Sequence, residues 1–196
     1  MSRTSTRSRS TKETRIELSL GLDGSGTTDV STGLPFFDHM LDQLGRHGGL
    51  DLSVQAQGDI EVDAHHTVED TGIVLGEALR EALGDKAGVR RFASITVPLD
   101  EAAVEVVLDL SGRPFLHYDV DFPGEKILGD PPFDPQLAEE FWRAFATAAA
   151  ITLHVVMRRG RNTHHIVEAS FKGVARALRD AVRVEGSALP STKGTL

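Results

Sequence analysis

Apolar and polar residues alternate from Arg15 to Leu22, placing Ile16, Leu18 and Leu20 on one face, the period of a half-buried strand. Asp23-Gly24-Ser25-Gly26 supplies a turn, and Thr27 to Ser31 is expected to return as a hairpin partner. Pro35 then opens a helix, with Phe36, Phe37, Met40, Leu41 and Leu44 at helical spacing and Gly48-Gly49 as its stop. Leu50, Leu52, Val54 and Ala56 alternate as a second strand, and a helix follows from His65 to Gly84. The order then recurs. Phe92 to Leu99, Ala103 to Leu110 and Pro114 to Val120 read as strands, and Phe122 to Pro135 as a Pro/Gly-rich loop. Leu137 to Ala150 is a helix, Ile151 to Met157 a strand, and Thr163 to Val184 a closing helix.

Each closing helix begins with His-His-x-x-Glu: His65-His66-Thr67-Val68-Glu69 and His164-His165-Ile166-Val167-Glu168. Further along, Ala78-Leu79-Arg80-Glu81-Ala82-Leu83 falls on Ala177-Leu178-Arg179-Asp180-Ala181-Val182. His39 precedes Leu50 by 11 residues and Glu140 precedes Ile151 by the same 11, so His39 and Glu140 are counterparts. The pattern predicts an α+β protein of two similar halves, each a mostly antiparallel sheet with two helices on one face. Residues 1–10 are expected to be a disordered tail, 11–88 the first half, 89–186 the second and 187–196 a C-terminal tail. Residues 1–10 carry Ser, Thr and Arg but no apolar stretch, so they are no secretory signal.

A length of 196 residues suits one compact unit built by duplication, and 40% apolar with 26% charged residues is ordinary for a globular protein. The net charge of -8 disfavours nucleic-acid or anionic-membrane binding but leaves room for a local phosphate site. No apolar run reaches the ~20 residues of a membrane span, and a cytoplasmic location is expected. The chain has no cysteine, so any metal must be held by His and carboxylate.

On a helix, residues i and i+4 share a face, so His65 with Glu69, and His164 with Glu168, can each grip one ion. His66 and His165 are rotated by about 100° and would reach the other half's metal if the halves are related by a pseudo-twofold. One site becomes His39, His66, His164 and Glu168; the other His65, Glu69, Glu140 and His165. Imidazole with carboxylate and open positions favours Mn(II) among the divalent metals. A single His-His pair is more often a surface accident, but two at duplicated positions with matching carboxylates are not.

Several segments resemble the imidazoleglycerol-phosphate dehydratase family across almost the whole chain: Thr11-Lys12-Glu13-Thr14, Phe37-Asp38-His39-Met40-Leu41-Asp42-Gln43, Asp63-Ala64-His65-His66-Thr67-Val68-Glu69-Asp70, Asp109-Leu110-Ser111-Gly112-Arg113-Pro114, Asn162-Thr163-His164-His165-Ile166-Val167-Glu168-Ala169 and Pro190-Ser191-Thr192-Lys193-Gly194. The resemblance implies duplicated halves like the second domain of ribosomal protein S5, two Mn(II) per subunit, and a homo-oligomeric 24-subunit shell with active sites between subunits. It implies dehydration of D-erythro-imidazole glycerol phosphate to imidazole acetol phosphate in histidine biosynthesis. A dimanganese-bridged imidazolate would let the ring store electrons released from a poorly acidic C–H next to it, with hydroxide expected to leave from the next carbon. By the same resemblance Glu13 is the base, and Arg91, Arg113, Ser191 and Lys193 hold the phosphate. Lys172 and His47, each eight residues past a ligand (His164 and His39), are expected to touch substrate, as are the ligands His39, His65, His66, Glu69, His164 and His165. His117 and His154 sit in strand patterns and are assigned to packing. Many family members carry His where this chain has Glu140. Two competing readings remain in view: a metal-storage or metal-sensing shell, which leaves the Arg and Lys positions unexplained, and a dinuclear hydrolase, which would release phosphate.

Overall fold

The computed structural model describes residues 3–194 and 196. The first half runs β1 (Thr4–Ser10), β2 (Thr14–Gly21), β3 (Thr28–Ser31), α1 (Pro35–Gly48), β4 (Asp51–Gly58) and α2 (His65–Leu83). The second repeats it as β5 (Phe92–Leu99), β6 (Ala102–Asp109), β7 (Phe115–Asp119), α3 (Leu137–Ala149), β8 (Thr152–Arg159) and α4 (Thr163–Ala181). The sheets have orders β1-β2-β4-β3 and β5-β6-β8-β7, one topology used twice. In each, the first three strands are antiparallel and the last pairs in parallel. The α+β class and the duplication are as the periodicity predicts.

Two expectations are corrected. Residues 4–10 are no disordered tail but an edge strand paired along its length with β2. Their Thr and Ser suit a pleated surface, and arginines supply what apolar residues do not: Arg3, Arg7 and Arg9 pair with Asp23, Glu81 and Asp70. Thr28–Ser31 is not a hairpin return on β2; it lies parallel to β4. The Asp51 carboxylate explains the crossing, accepting the backbone N–H groups of Ser25 and Thr27 at 2.9 and 3.0 Å and pinning the turn beyond β2 to the start of β4.

The apolar faces of all four helices turn inward. α2 lies on β1 and β2, α4 on β5 and β6; across the middle α2 packs on α3 and α1 on α4. A Cβ on Gly72 would stand 2.7 Å from the Phe141 carbonyl oxygen and one on Gly76 2.6 Å from that of Phe145, so both glycines let α2 and α3 approach closely. Trp142, Phe141, Phe145 and Phe171 fill the centre, with Trp142 and Phe171 ring centroids 4.6 Å apart. Gly49 ends α1 at φ +64°, its N–H turned back to the Arg46 and Gly45 carbonyls, while its counterpart Ala150 ends α3 left-handed at φ +52°. The duplication thus reaches the caps.

His117 and His154 do not fill the interior. They face each other on the outer side of the second sheet, ring centroids 5.5 Å apart, near the exposed rings of Phe92 and Phe115. Among the described residues no helix is long and apolar enough to cross a membrane.

Candidate active site

Both closing helices start at the same edge of the molecule, where α1 and α3 also begin, so the chemistry-bearing residues gather at the two helix seams. At the α1–α4 seam, His39 Nε2, His164 Nε2 and a Glu168 carboxylate oxygen lie within 4.8 Å of one another. His164 Nε2 is 2.9 Å and His39 Nε2 3.4 Å from the same Glu168 oxygen. The i, i+4 logic on α4 holds, and the partner from the other half is the one the register selects. Lys172 Nζ sits 2.5 Å from the second Glu168 oxygen. Burial pushes the Glu168 carboxyl up, but hydrogen bonds from Lys172 and His164 outweigh it and the net shift is downward. His47, two turns along α1 from His39, meets Gln43 at 3.1 Å; burial, then the charges of Lys172 and Arg176, keep its imidazole below the ordinary value.

The pseudo-equivalent α2–α3 seam is more open. His65 and Glu140 line a cavity of about 500 Å³ together with Glu61, Asp63, Leu34 and Leu137. Glu140 lies 3.7 Å from Arg143 Nε. Glu69 is half-buried on the next turn of α2. Among the described residues, only His39, His164 and Glu168 converge as a three-ligand group. His66 does not join them, nor does His165 join His65, Glu69 and Glu140. Each is rotated toward its own half: His66 Nδ1 faces Asp59 at 3.1 Å, and His165 Nδ1 faces Glu101 at 2.7 Å. The crossed sets expected from the sequence are therefore not formed within one chain. The cause is the 100° step between adjacent helical residues, which aims the second histidine at the loops flanking its own sheet.

Glu13 occupies the β1–β2 turn, its carboxylate 3.9 Å from His66 Nε2. The turn is held by Thr11 Oγ1, which accepts the N–H groups of Glu13 and Thr14. Below it the buried Asp70 receives Arg9 and the Thr14 hydroxyl, fixing both strands to α2. The Asp59 hydrogen bond raises the His66 pKa.

The expected phosphate cations assemble elsewhere. Arg91 donates from Nε to Asp109 at 2.7 Å and from Nη1 to the Pro190 carbonyl at 2.6 Å. Arg113 approaches the other Asp109 oxygen at 3.9 Å and donates to the Ser111 carbonyl. The Pro190 carbonyl's bond to Arg91 draws the C-terminal segment to the same corner, where Ser191 Oγ accepts the Lys193 N–H. Arg91 is left-handed, φ +75°, and its N–H bonds to the Ala181 carbonyl at the far end of α4. The buried Lys86 ammonium holds the Leu110 carbonyl below the two arginines.

This corner is remote from the cluster of His39, His164 and Glu168. His164 begins α4 and Ala181 ends it, which at 1.5 Å per residue is about 25 Å. The corner and the His165 turn likewise occupy opposite ends of β5 and β6. Asp59, Glu101 and Asp109 were not legible as site residues in the sequence. Each is one acid among many, and its partner is fixed only by the fold.

A duplicated α+β chain with a His–His–carboxylate cluster at a helix seam and an arginine corner at the far end is the class of protein so defined. The imidazoleglycerol-phosphate dehydratase family model matches residues 32–178. An imidazoleglycerol-phosphate dehydratase of Anaeromyxobacter sp. (strain Fw109-5) is 59% identical over 189 residues, covering 96% of this chain and 91% of that protein. One of Acidiphilium cryptum (strain JF-5) is 55% identical, covering 100% of both. The crystal structure of the Staphylococcus aureus subsp. aureus N315 dehydratase superposes with TM-score 0.83 at 37% identity, covering 92% of this chain and 99% of that one. The Pyrococcus furiosus structure, in complex with (S)-C348, gives the same TM-score and identity over 97% and 100%. The chain belongs to the imidazoleglycerol-phosphate dehydratase family.

Proposed function

We propose that this chain removes water from imidazole glycerol phosphate to give imidazole acetol phosphate, using Mn(II). The observation that carries the reading is the convergence of His39, His164 and Glu168 within 4.8 Å in a chain of this family. Two imidazole nitrogens and a carboxylate oxygen are a donor set that fits a borderline divalent ion. One site would be held by His39, His164 and Glu168 and the other by His65, Glu69 and Glu140, with His66 and His165 presented outward to complete sites on other subunits. Manganese bound there would supply Lewis acidity to the imidazole ring of the substrate.

The chain's own groups do the rest. Substrate and product differ by a hydroxyl lost from the carbon attached to the ring and a proton lost from the next carbon, the reverse of the order expected from the sequence, because the product's ketone stands on that next carbon. Glu13, exposed on a braced turn beside His66, takes that proton. The resulting enol becomes the ketone by losing its hydroxyl proton and gaining one at the ring-bearing carbon. Lys172 neutralises Glu168 from the side away from the ligands, and His47 closes that end of the seam. Arg91, Arg113, Ser191 and Lys193 receive the phosphate, Arg113 as the freer fork because Arg91 is largely engaged by Asp109 and Pro190.

The ligands and the arginine corner of one chain lie about 25 Å apart, whereas the substrate is shorter than three extended residues, about 10 Å. Two or more copies of the chain must therefore build each site, which supports a closed homo-oligomer such as the 24-subunit shell. The test is anaerobic turnover of imidazole glycerol phosphate by metal-stripped protein before and after adding Mn(II). Restored formation of the acetol phosphate is expected. Release of inorganic phosphate instead would point to a hydrolase, and full activity without metal would remove the manganese.

A further inference from the structure

His66 and His165 share a feature that no ligand set requires. Each turns Nδ1 to a carboxylate outside the ligand list: Asp59, with both oxygens 3.1 Å away, and Glu101, at 2.7 Å. An ionised carboxylate only accepts, so each bond puts a proton on Nδ1 and leaves the Nε2 lone pair free. In both halves Nε2 then faces the acidic turn joining the first two strands of its sheet, 3.9 Å from Glu13 for His66 and 3.9 Å from Asp100 for His165. The two histidines of the α1–α4 cluster, His39 and His164, also present Nε2. Duplication alone does not explain the match: Asp59 follows β4, while Glu101 lies between β5 and β6. Two different elements supply the same carboxylate to the same ring nitrogen.

We propose that Asp59 and Glu101 are positioning residues that hold His66 and His165 as Nδ1–H tautomers, so that Nε2 is offered to a divalent cation. The proposal rests on the metal-dependent reading above. Carboxylates behind ligating histidines orient the ring and raise its basicity. Glu101 is itself anchored, since one of its oxygens accepts the backbone N–H groups of Arg161 and Asn162 at 3.0 and 2.7 Å. Asn162 in turn caps α4 through the His165 N–H. The carboxylate that sets the ring therefore also sets the first turn of its helix.

That double anchoring gives a test that separates positioning from bracing. In Glu101→Gln the amide oxygen keeps the Arg161 and Asn162 bonds, so the NH2 group points at His165 Nδ1 and forces the opposite tautomer. In Glu101→Ala both anchors are lost, but His165 is free to choose its tautomer. Metal-stripped full-length protein is titrated with Mn(II) alone, with free Mn(II) read by electron paramagnetic resonance and thermal melting measured in parallel. E101Q should melt above E101A and closer to wild type, yet bind at one of its sites ~10- to 100-fold more weakly. E101A should melt lower but lose less affinity than E101Q. Asp59→Asn can keep its carbonyl toward Nδ1 and should bind nearly normally, whereas Asp59→Ala should not. Wild-type-like affinity in E101Q, or affinities that follow the melting order, would overturn the positioning role while leaving the metal reading intact. A wild type that binds no Mn(II) would overturn the metal reading itself.

Discussion

His164→Ala and Arg113→Ala, each nearly inactive alone, are expected to restore activity when assembled together. His164 opens α4 and belongs to the ligand cluster; Arg113 stands at the corner where Arg91 bonds the last turn of that helix. The rise of the intervening helix separates them by about 25 Å, more than twice the ~10 Å reach of the substrate. On the proposed function each substrate meets the His164 of one subunit and the Arg113 of another. In particles co-assembled from equal amounts of the two variants, half the His164 positions and half the Arg113 positions are intact. About a quarter of the sites therefore hold both in closed symmetric assemblies. Each variant alone should fall by about 100-fold or more, the usual scale for losing one preorganised charge-stabilising group. Differently tagged variants, co-expressed and purified through both tags, should recover close to a quarter of wild-type turnover. No recovery above the separate variants, in particles shown to contain both chains, would refute the distance argument and place the whole site within one chain.

Glu13→Gln should assemble and bind Mn(II) as wild type but turn over at least ~100-fold more slowly, checked by steady-state kinetics beside metal analysis; near-normal turnover would assign the proton to another base. Gly76→Ala places a Cβ 2.6 Å from the Phe145 carbonyl oxygen and 2.7 Å from Ala148 Cβ. The resulting strain of about 1–3 kcal/mol should exceed the helical gain of ~1 kcal/mol, lowering the urea midpoint; Gly186→Ala, with nothing within 4 Å, should not lower it. The His165 hydrogen bond, then the backbone N–H groups of Asn162 and Arg161, hold the Glu101 carboxyl at about 2, below its ordinary 4.5. A depressed pKa contributes stability that is complete above 4.5 and is lost as pH falls toward 2. Metal-free wild type should therefore lose more stability than E101Q over that interval in urea titrations, and parallel losses would contradict the shift.

Most of the fold was legible because its elements bury one face, and a buried face writes its period into the chain. Ile16, Leu18 and Leu20, or Phe37, Met40, Leu41 and Leu44, announce their elements unaided. Thr4–Ser10 has no such face. It pairs through backbone groups with β2 and through arginines with acids 20 to 74 positions away, which no local pattern shows. The duplication held the missing clue: β5 precedes β6, so a strand was required before β2. The parallel pairing of β3 was hidden for a similar reason, resting on Asp51 reaching back to Ser25. In the site, i, i+4 spacing found His164 with Glu168, and the common register found His39 opposite them. Spacing cannot say which way an adjacent histidine turns, so the pairing of His66 with Asp59 and of His165 with Glu101 had to come from the fold.

The seam that joins His39 to His164 and Glu168 crosses the two halves of the chain. Cutting the protein between them, near residues 85–88, would give two pieces with His39 on one and His164 and Glu168 on the other. Neither fragment could assemble the cluster, but two copies of a half-length ancestor, paired about a twofold, would make it twice over. Joining the halves in one polypeptide removes the dilution that limits such a pair. It also releases the two seams from being identical. His39 stands where the other half has Glu140, and the Asp70 that anchors Arg9 and Thr14 has Ala169 as its opposite number. One seam could thus close into the His39, His164 and Glu168 cluster while the other opened into a cavity, an asymmetry closed to a symmetric dimer.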